Sequence, residues 1–233
     1  MTLTKVLLIA ALVCALAPQE AAYADPEIYL KTSKYYTPVK GELELEQWTD
    51  IFRENDGRSS YRSRTELEYG ITDRLAGAIY FVSGHPVGEA WRYEETKLEM
   101  RYRITQPGNR FWDTAAYVEL VKPNDSDEPY ELEMKAIFSH EFRDHNLTLN
   151  LIAGKELEPG AKIEKGYAIG VTPHPKHSTN WSFEVFGMEH EHYVMPAFWF
   201  APGRRQTAAI GLAAGLTGDS DNLQLRTLYL IEF

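Results

Sequence analysis

From Lys40 to Phe233, apolar and polar residues alternate with a period of two, and turn-forming residues interrupt the alternation at short intervals. Such alternation marks strands that present two different faces to two different environments. It predicts strands over 41–52, 61–70, 75–82, 91–104, 111–121, 130–142, 147–154, 161–171, 181–190, 197–201, 206–216 and 223–233. The breaks carry turn chemistry. Thr72-Asp73 suits a tight turn, and Gln106-Pro-Gly-Asn109 pairs a residue with fixed φ and one that accepts positive φ. Pro196 is read as breaking the chain, which leaves a loop over 190–196 before a short tenth strand.

The two faces differ sharply in chemistry. In the first strand Leu43 and Leu45 oppose Glu42, Glu44 and Glu46. In the second, Leu67 and Tyr69 oppose Arg62, Arg64, Glu66 and Glu68; in the fourth, Leu98, Met100 and Tyr102 oppose Lys97, Glu99, Arg101 and Arg103. The sixth sets Leu132, Met134, Ala136 and Phe138 against Glu131, Glu133 and Lys135. In the last, Tyr229, Ile231 and Phe233 oppose Gln224 and Arg226. In a transmembrane barrel alternate residues face lipid and lumen, and Lys or Arg on the lipid face costs ~2–4 kcal/mol at mid-depth. The ionic rows are therefore expected to point inward. The expected fold is an all-β, antiparallel up-and-down transmembrane barrel of about 12 strands over 40–233, with 25–39 a periplasmic lead-in or partial plug.

Strand repeats of about 15 to 18 residues fit that fold, because a membrane strand needs ~9–11 residues plus a connection. An even strand count puts both ends on one side. The odd-numbered connections, 53–60, 84–90, 123–129, 155–160, 190–196 and 217–222, are then extracellular and mostly longer and more acidic. The others are mostly tight, with 172–180 the exception. A net charge of −10 argues against nucleic acid. Fourteen Tyr, ten Phe and five Trp are what two interfacial aromatic girdles use.

The amino end reads as an export signal. Lys5 lies in a short n-region, Val6–Leu16 is apolar but too short to span, and Ala22-Tyr-Ala24 is a small-x-small cleavage site. Cleavage there removes Cys14, the one cysteine, which excludes disulfides and cysteine metal sites in the mature chain.

The carboxyl end resembles the terminal strand of bacterial outer-membrane barrels, which their assembly machinery reads. Arg226, Tyr229, Ile231 and Phe233 carry the likeness, and Leu228 departs from it where glycine is usual. Thr65-Glu-Leu-Glu-Tyr-Gly-Ile-Thr-Asp-Arg-Leu75, following Gly41–Trp48, resembles bacterial outer-membrane β-barrel proteins of the transporter-annotated, phenol-degradation-protein-like group. That resemblance is specific over 41–82 and implies a barrel and a transport role in a Gram-negative-type outer membrane. It implies no catalytic residues.

The expected function is a porin-like narrow channel or transporter for a small polar solute, with no cofactor and no enzyme activity. The candidate selectivity row is Glu44, Glu46, Arg64, Glu66, Glu68, Lys97, Glu99, Arg101, Arg103, Glu131, Glu133 and Lys135. Two other readings remain: a closed structural or interaction barrel working through its outer loops, and a lipid-modifying enzyme. For the enzyme, Ser139-His140-Glu141 and His177-Ser178 are the candidates, but neighbouring strand residues point to opposite faces. His190 and His192 make a weak candidate for a metal at the outer rim; His174 and His177 lie a strand length away, ~30 Å at ~3.3 Å per residue. Outer-membrane lipid and the barrel-assembly machinery are the expected partners.

Overall fold

The computed structural model describes residues 29–108, 111–142, 145–173 and 179–233. The expected signal peptide and its cleavage site lie outside them, as do His174, His177 and Ser178. Among the described residues there are twelve strands: β1 (Leu43–Arg53), β2 (Ser59–Thr72), β3 (Leu75–His85), β4 (Arg92–Arg103), β5 (Asp113–Pro123), β6 (Glu131–Phe142), β7 (His145–Glu156), β8 (Glu164–Pro173), β9 (Thr179–Met188), β10 (Glu191–Gly203), β11 (Gln206–Gly215) and β12 (Leu223–Glu232). Each pairs antiparallel with its chain neighbours, and β1 pairs β12 to close the barrel. Closure runs from Glu44 opposite Glu232 to Arg53 opposite Leu223, and the Phe233 N–H donates to the Leu43 carbonyl at 2.9 Å. No edge strand is left open.

Strand length suits a bilayer. An 11-residue strand such as β1 is ~36 Å long at ~3.3 Å per residue, and a ~45° tilt gives ~25 Å of height. The outer surface matches. Leu67, Phe81, Leu98, Met100, Met134, Leu151, Phe183, Ile210 and Leu212 are all exposed on it, from strands around the circumference. Exposed aromatics gather toward both ends: Tyr69, Tyr102, Trp112, Phe142 and Tyr229 near the rim where β1 begins, and Tyr61, Trp91, Tyr93 and Tyr130 near the far rim. An apolar belt between two aromatic rings is the surface a lipid-embedded barrel requires.

Two connections differ from the expectation. There is no loop over 190–196. β9 turns into β10 through Glu189 and His190, with Glu189 at φ 48°, and β10 runs unbroken through Pro196. Proline has no N–H to give. The β10–β11 pairing skips Met195 and Pro196 and resumes at Ala197 opposite Gly211 in the same register, while Pro196 stays paired with Phe183 of β9. The connection between β4 and β5 is not tight. It spans 104–112, because the Ile104 and Thr105 N–H groups both turn to the Thr114 carbonyl, and Asp113 accepts from the Gly108 N–H at 3.0 Å.

Residues 29–39 run inside the wall. Tyr29, Leu30, Thr32, Lys34, Tyr35 and Thr37 are buried there. Gly170 makes the passage possible, since a Cβ at that position would stand 2.3 Å from the Tyr29 ring.

Candidate functional site

The lumen is built from alternate residues of every strand. Glu44, Glu46, Trp48 and Asp50 of β1 face inward, with Arg64, Glu66 and Glu68 of β2, and the apolar partners in each strand face out. Glu99 and Arg101 of β4 are buried, and Arg64, Lys97, Arg103, Glu131, Glu133 and Lys135 are half-buried. The register thus brings the expected ionic row together on one wall, formed by β1 to β6.

That wall is a network of ion pairs threaded with aromatic rings. Arg101 reaches Glu68 and Glu99, at 2.5 and 3.3 Å. Lys97 bridges Glu95 and Glu119 at 3.4 and 3.1 Å, and Lys135 meets Glu133 at 3.0 Å. Arg64 lies 4.6 Å from the Trp48 ring and 5.6 Å from the Tyr80 ring, and Lys135 sits 4.0 Å over Tyr117. The ring polar groups address carboxylates: Trp48 donates to Glu46 at 2.7 Å, Tyr117 to Glu119 at 2.7 Å, and Tyr80 to Glu99. Arg103 lies near the terminal rim, where it donates to the Asp73 carbonyl.

Sequence reasoning passed over four parts of this interior. Asp50 takes a two-pronged pair from Arg226, at 2.6 and 3.1 Å. Arg226 therefore faces the lumen, whereas Tyr229 and Phe233 are exposed outside and Ile231 shares their face. Glu119 and Asp113 are the two acids of β5, whose other residues are mostly apolar. β7 adds Asn146, Thr148 and Asn150, all buried and polar. The fourth is an apolar wall: Phe186, Met195, Ala197, Trp199, Ala209, Leu228 and Leu230 of β9 to β12 pack with Leu30 and Trp48.

The 29–39 segment lies between these walls and is held mostly by polar contacts. The Glu184 carboxylate accepts three successive backbone N–H groups, from Leu30 at 2.8 Å, Lys31 at 2.9 Å and Thr32 at 2.7 Å. Asn150 accepts the Ser33 N–H at 2.6 Å. Arg226 donates to the Leu30 carbonyl at 3.0 Å, and Arg101 to that of Tyr36 at 3.2 Å. The Tyr29 hydroxyl donates toward Asn146 and the Gly170 carbonyl, and burial pushes its phenol above the ordinary range. Lys31 extends over the Phe186 ring at 5.3 Å into open space within the barrel, and enclosure by the surrounding wall, then Arg226, push its amine down to about 7. Beside the segment a cavity of about 430 Å³ remains, lined by Glu66, Lys97, Glu119, Lys135 and Arg226 among others.

The candidate catalytic and metal residues scatter. Ser139 is buried in the lumen against Thr148 and Asn146, while His140 stands on the other face beside Trp112. His190 is exposed in the β9–β10 turn, and His192 stacks on Tyr167 with ring centroids 5.8 Å apart. Among the described residues, the group that places three ligand atoms within 4.8 Å of one another is Glu44, Glu46 and Glu68, with neither histidine in it.

The sequence matches no family model and no curated protein. The fold is similar to that of solved outer-membrane barrels. An outer membrane channel from Pseudomonas putida F1 superposes with a TM-score of 0.63 at 13% identity, over 88% of this chain and 100% of that one. The NanC porin gives 0.56 at 11% identity, over 82% and 98%. The KdgM porin in complex with disordered oligogalacturonate gives 0.56 at 7% identity, also over 82% and 98%. At these identities the likeness is one of fold: a closed antiparallel barrel of the kind that outer-membrane channels and porins use.

Proposed function

We propose that the chain is a narrow outer-membrane channel for small polar solutes, with residues 29–39 acting as a partial plug. The observation that carries this reading is the lumen itself: an ionic wall and a 430 Å³ cavity beside a segment pinned largely by hydrogen bonds. A barrel serving only as a scaffold has no need of an ionic interior beside an open cavity. Buried charge is costly unless it is paired or reached by water, and water reaching it is also a path.

The wall sets the solute class. Ten acids are buried, Glu44, Glu46, Asp50, Glu66, Glu68, Glu99, Asp113, Glu119, Glu184 and Glu232, against two buried bases, Lys34 and Arg101. Adding the half-buried Arg64, Lys97, Arg103, Lys135 and Arg226 still leaves carboxylates in excess, which favours cations and neutral polar solutes. Connection lengths support an orientation with the terminal rim in the periplasm, since 73–74 and 204–205 are tight while 124–130 and 216–222 are long. The outward row Tyr229, Ile231 and Phe233 supports recognition of β12 by the assembly machinery, and the Gly70–Arg74 turn supports kinship with the transporter-annotated group.

Swelling of liposomes containing the purified barrel tests the reading. Small neutral polyols should enter faster than anions of equal size. Liposomes that remain tight to all of them would favour the scaffold.

A further inference from the structure

We propose that Glu44, Glu46 and Glu68, with Glu66 beside them, form a binding site for a hard divalent cation of the calcium class in the lumen wall. The proposal does not rest on the channel reading, because binding is measured whether or not the barrel conducts.

The register creates the site. β1 and β2 place Glu44 directly opposite Glu68 and Glu46 directly opposite Glu66, all four on the lumen face. Like charges in such positions repel, and here two such pairs lie in adjacent rows. All four side chains are more than nine-tenths buried, at 3, 3, 4 and 1% exposure for Glu44, Glu46, Glu66 and Glu68. Burial weakens the screening that would make the crowding tolerable. One oxygen each from Glu44, Glu46 and Glu68 comes within 4.8 Å of the other two. Calcium takes six to eight oxygen ligands in flexible geometry and accepts such a carboxylate cluster, whereas magnesium demands near-ideal octahedral geometry and keeps several waters. An all-oxygen set without imidazole or thiolate points away from zinc and copper.

The local cations leave acceptor capacity unused. Lys34 approaches Glu44 at 3.4 Å, and Arg101 bonds one oxygen of Glu68. The other Glu68 oxygen is buried and takes no hydrogen bond. Glu66 makes no hydrogen bond or salt bridge among the described residues; Glu46, Glu99 and Glu68 crowd it as like charges, and Arg64 is the cation that acts on it. The buried, unbonded Glu68 oxygen belongs to the three-carboxylate cluster and is an acceptor that a cation would fill. A divalent ion would draw its remaining ligands from lumen water and would compete with Lys34 for Glu44.

Trp48 supplies the readout, since its indole N–H bonds Glu46 and a lanthanide held there would lie within sensitising range. The full-length, detergent-refolded barrel, stripped with chelator, is titrated with terbium under indole excitation and then with calcium. Saturable sensitised emission that calcium displaces is expected. Glu44→Gln and Glu68→Gln should each weaken terbium binding at least tenfold, and Lys34→Gln should tighten it by removing the competitor. Asp125→Asn and Asp127→Asn in the acidic outer loop should leave it unchanged. Trp48→Phe should lose emission yet still bind calcium by calorimetry. Loss of heat-modifiable migration identifies a variant that has not folded, in which case Glu46→Gln and wild-type calorimetry with calcium decide. No saturable binding by the wild type would overturn the proposal. So would terbium binding that survives both glutamine changes or disappears with the loop changes.

Discussion

Replacing Glu184 with glutamine should loosen the 29–39 segment without breaking the wall. Glu184 is fully buried on β9, and its two oxygens take three backbone N–H groups, with Oε1 serving Leu30 and Oε2 serving Lys31 and Thr32. Hydrogen bonds to a charged acceptor contribute ~1.5–3 kcal/mol each. A glutamine carbonyl can replace one oxygen, so at best two bonds survive without charge assistance, and the Leu30 N–H then faces an amide N–H. The loss comes to about 3–5 kcal/mol, which shifts the ratio of docked to released segment by ~10² to ~4 × 10³ at 1.4 kcal/mol per decade. Hydrogen exchange on the peptide covering 29–34 should accelerate by that factor, and single-channel records should show larger or longer openings than the wild type. Glu133→Gln, which weakens a side-chain pair with Lys135 and touches no segment backbone, should do neither. Folded Glu184→Gln protein with wild-type exchange and conductance would refute the idea that this carboxylate holds the segment in place.

Leu98→Arg puts a cation on the outer belt, where Leu98 is 53% exposed, and should destabilise the inserted barrel by ~2–4 kcal/mol. Urea titration in lipid vesicles should show a larger loss than for Glu133→Leu; the reverse order would exchange the two faces. Lys31 should give conduction a pH response. With its amine at about 7, it is charged at pH 6 and mostly neutral at pH 8, so cation preference should rise across that interval. Lys31→Gln should flatten the rise, and reversal potentials that respond to pH equally in both proteins would assign the response elsewhere.

Much of the fold could be read from periodicity, because the inward and outward environments demand opposite residues at successive positions. Glu44, Glu46, Leu43 and Leu45 already separate the faces of β1, and ions on alternate residues of β2, β4 and β6 leave one tolerable orientation in lipid. β10 was legible only in part, since Pro196 signals a break in any strand and its neutral cost here depends on the missing N–H falling in one gap of the ladder. The apolar wall carried no signal at all. Met195, Ala197 and Trp199 face the lumen while Val194 and Phe198 face out, so alternation disappears where the segment covers the interior. Glu184 stood as a lone acid in an aromatic stretch, and the backbone it holds lies more than 150 residues away in sequence. The same distance hides the Arg226 contact with Leu30, whereas the Glu44–Glu68 cluster could be read from two adjacent strands once their register was known.

Single-channel recording in planar bilayers under a KCl gradient tests the central claim most directly. The wild-type barrel should give small, reproducible steps, and the excess of lumen carboxylates over bases should set a reversal potential on the cation-selective side. Glu184→Gln should enlarge the steps or lengthen the openings while keeping the sign. A wild type and a folded Glu184→Gln variant that are both electrically silent, or a reversal potential on the anion side, would contradict the account.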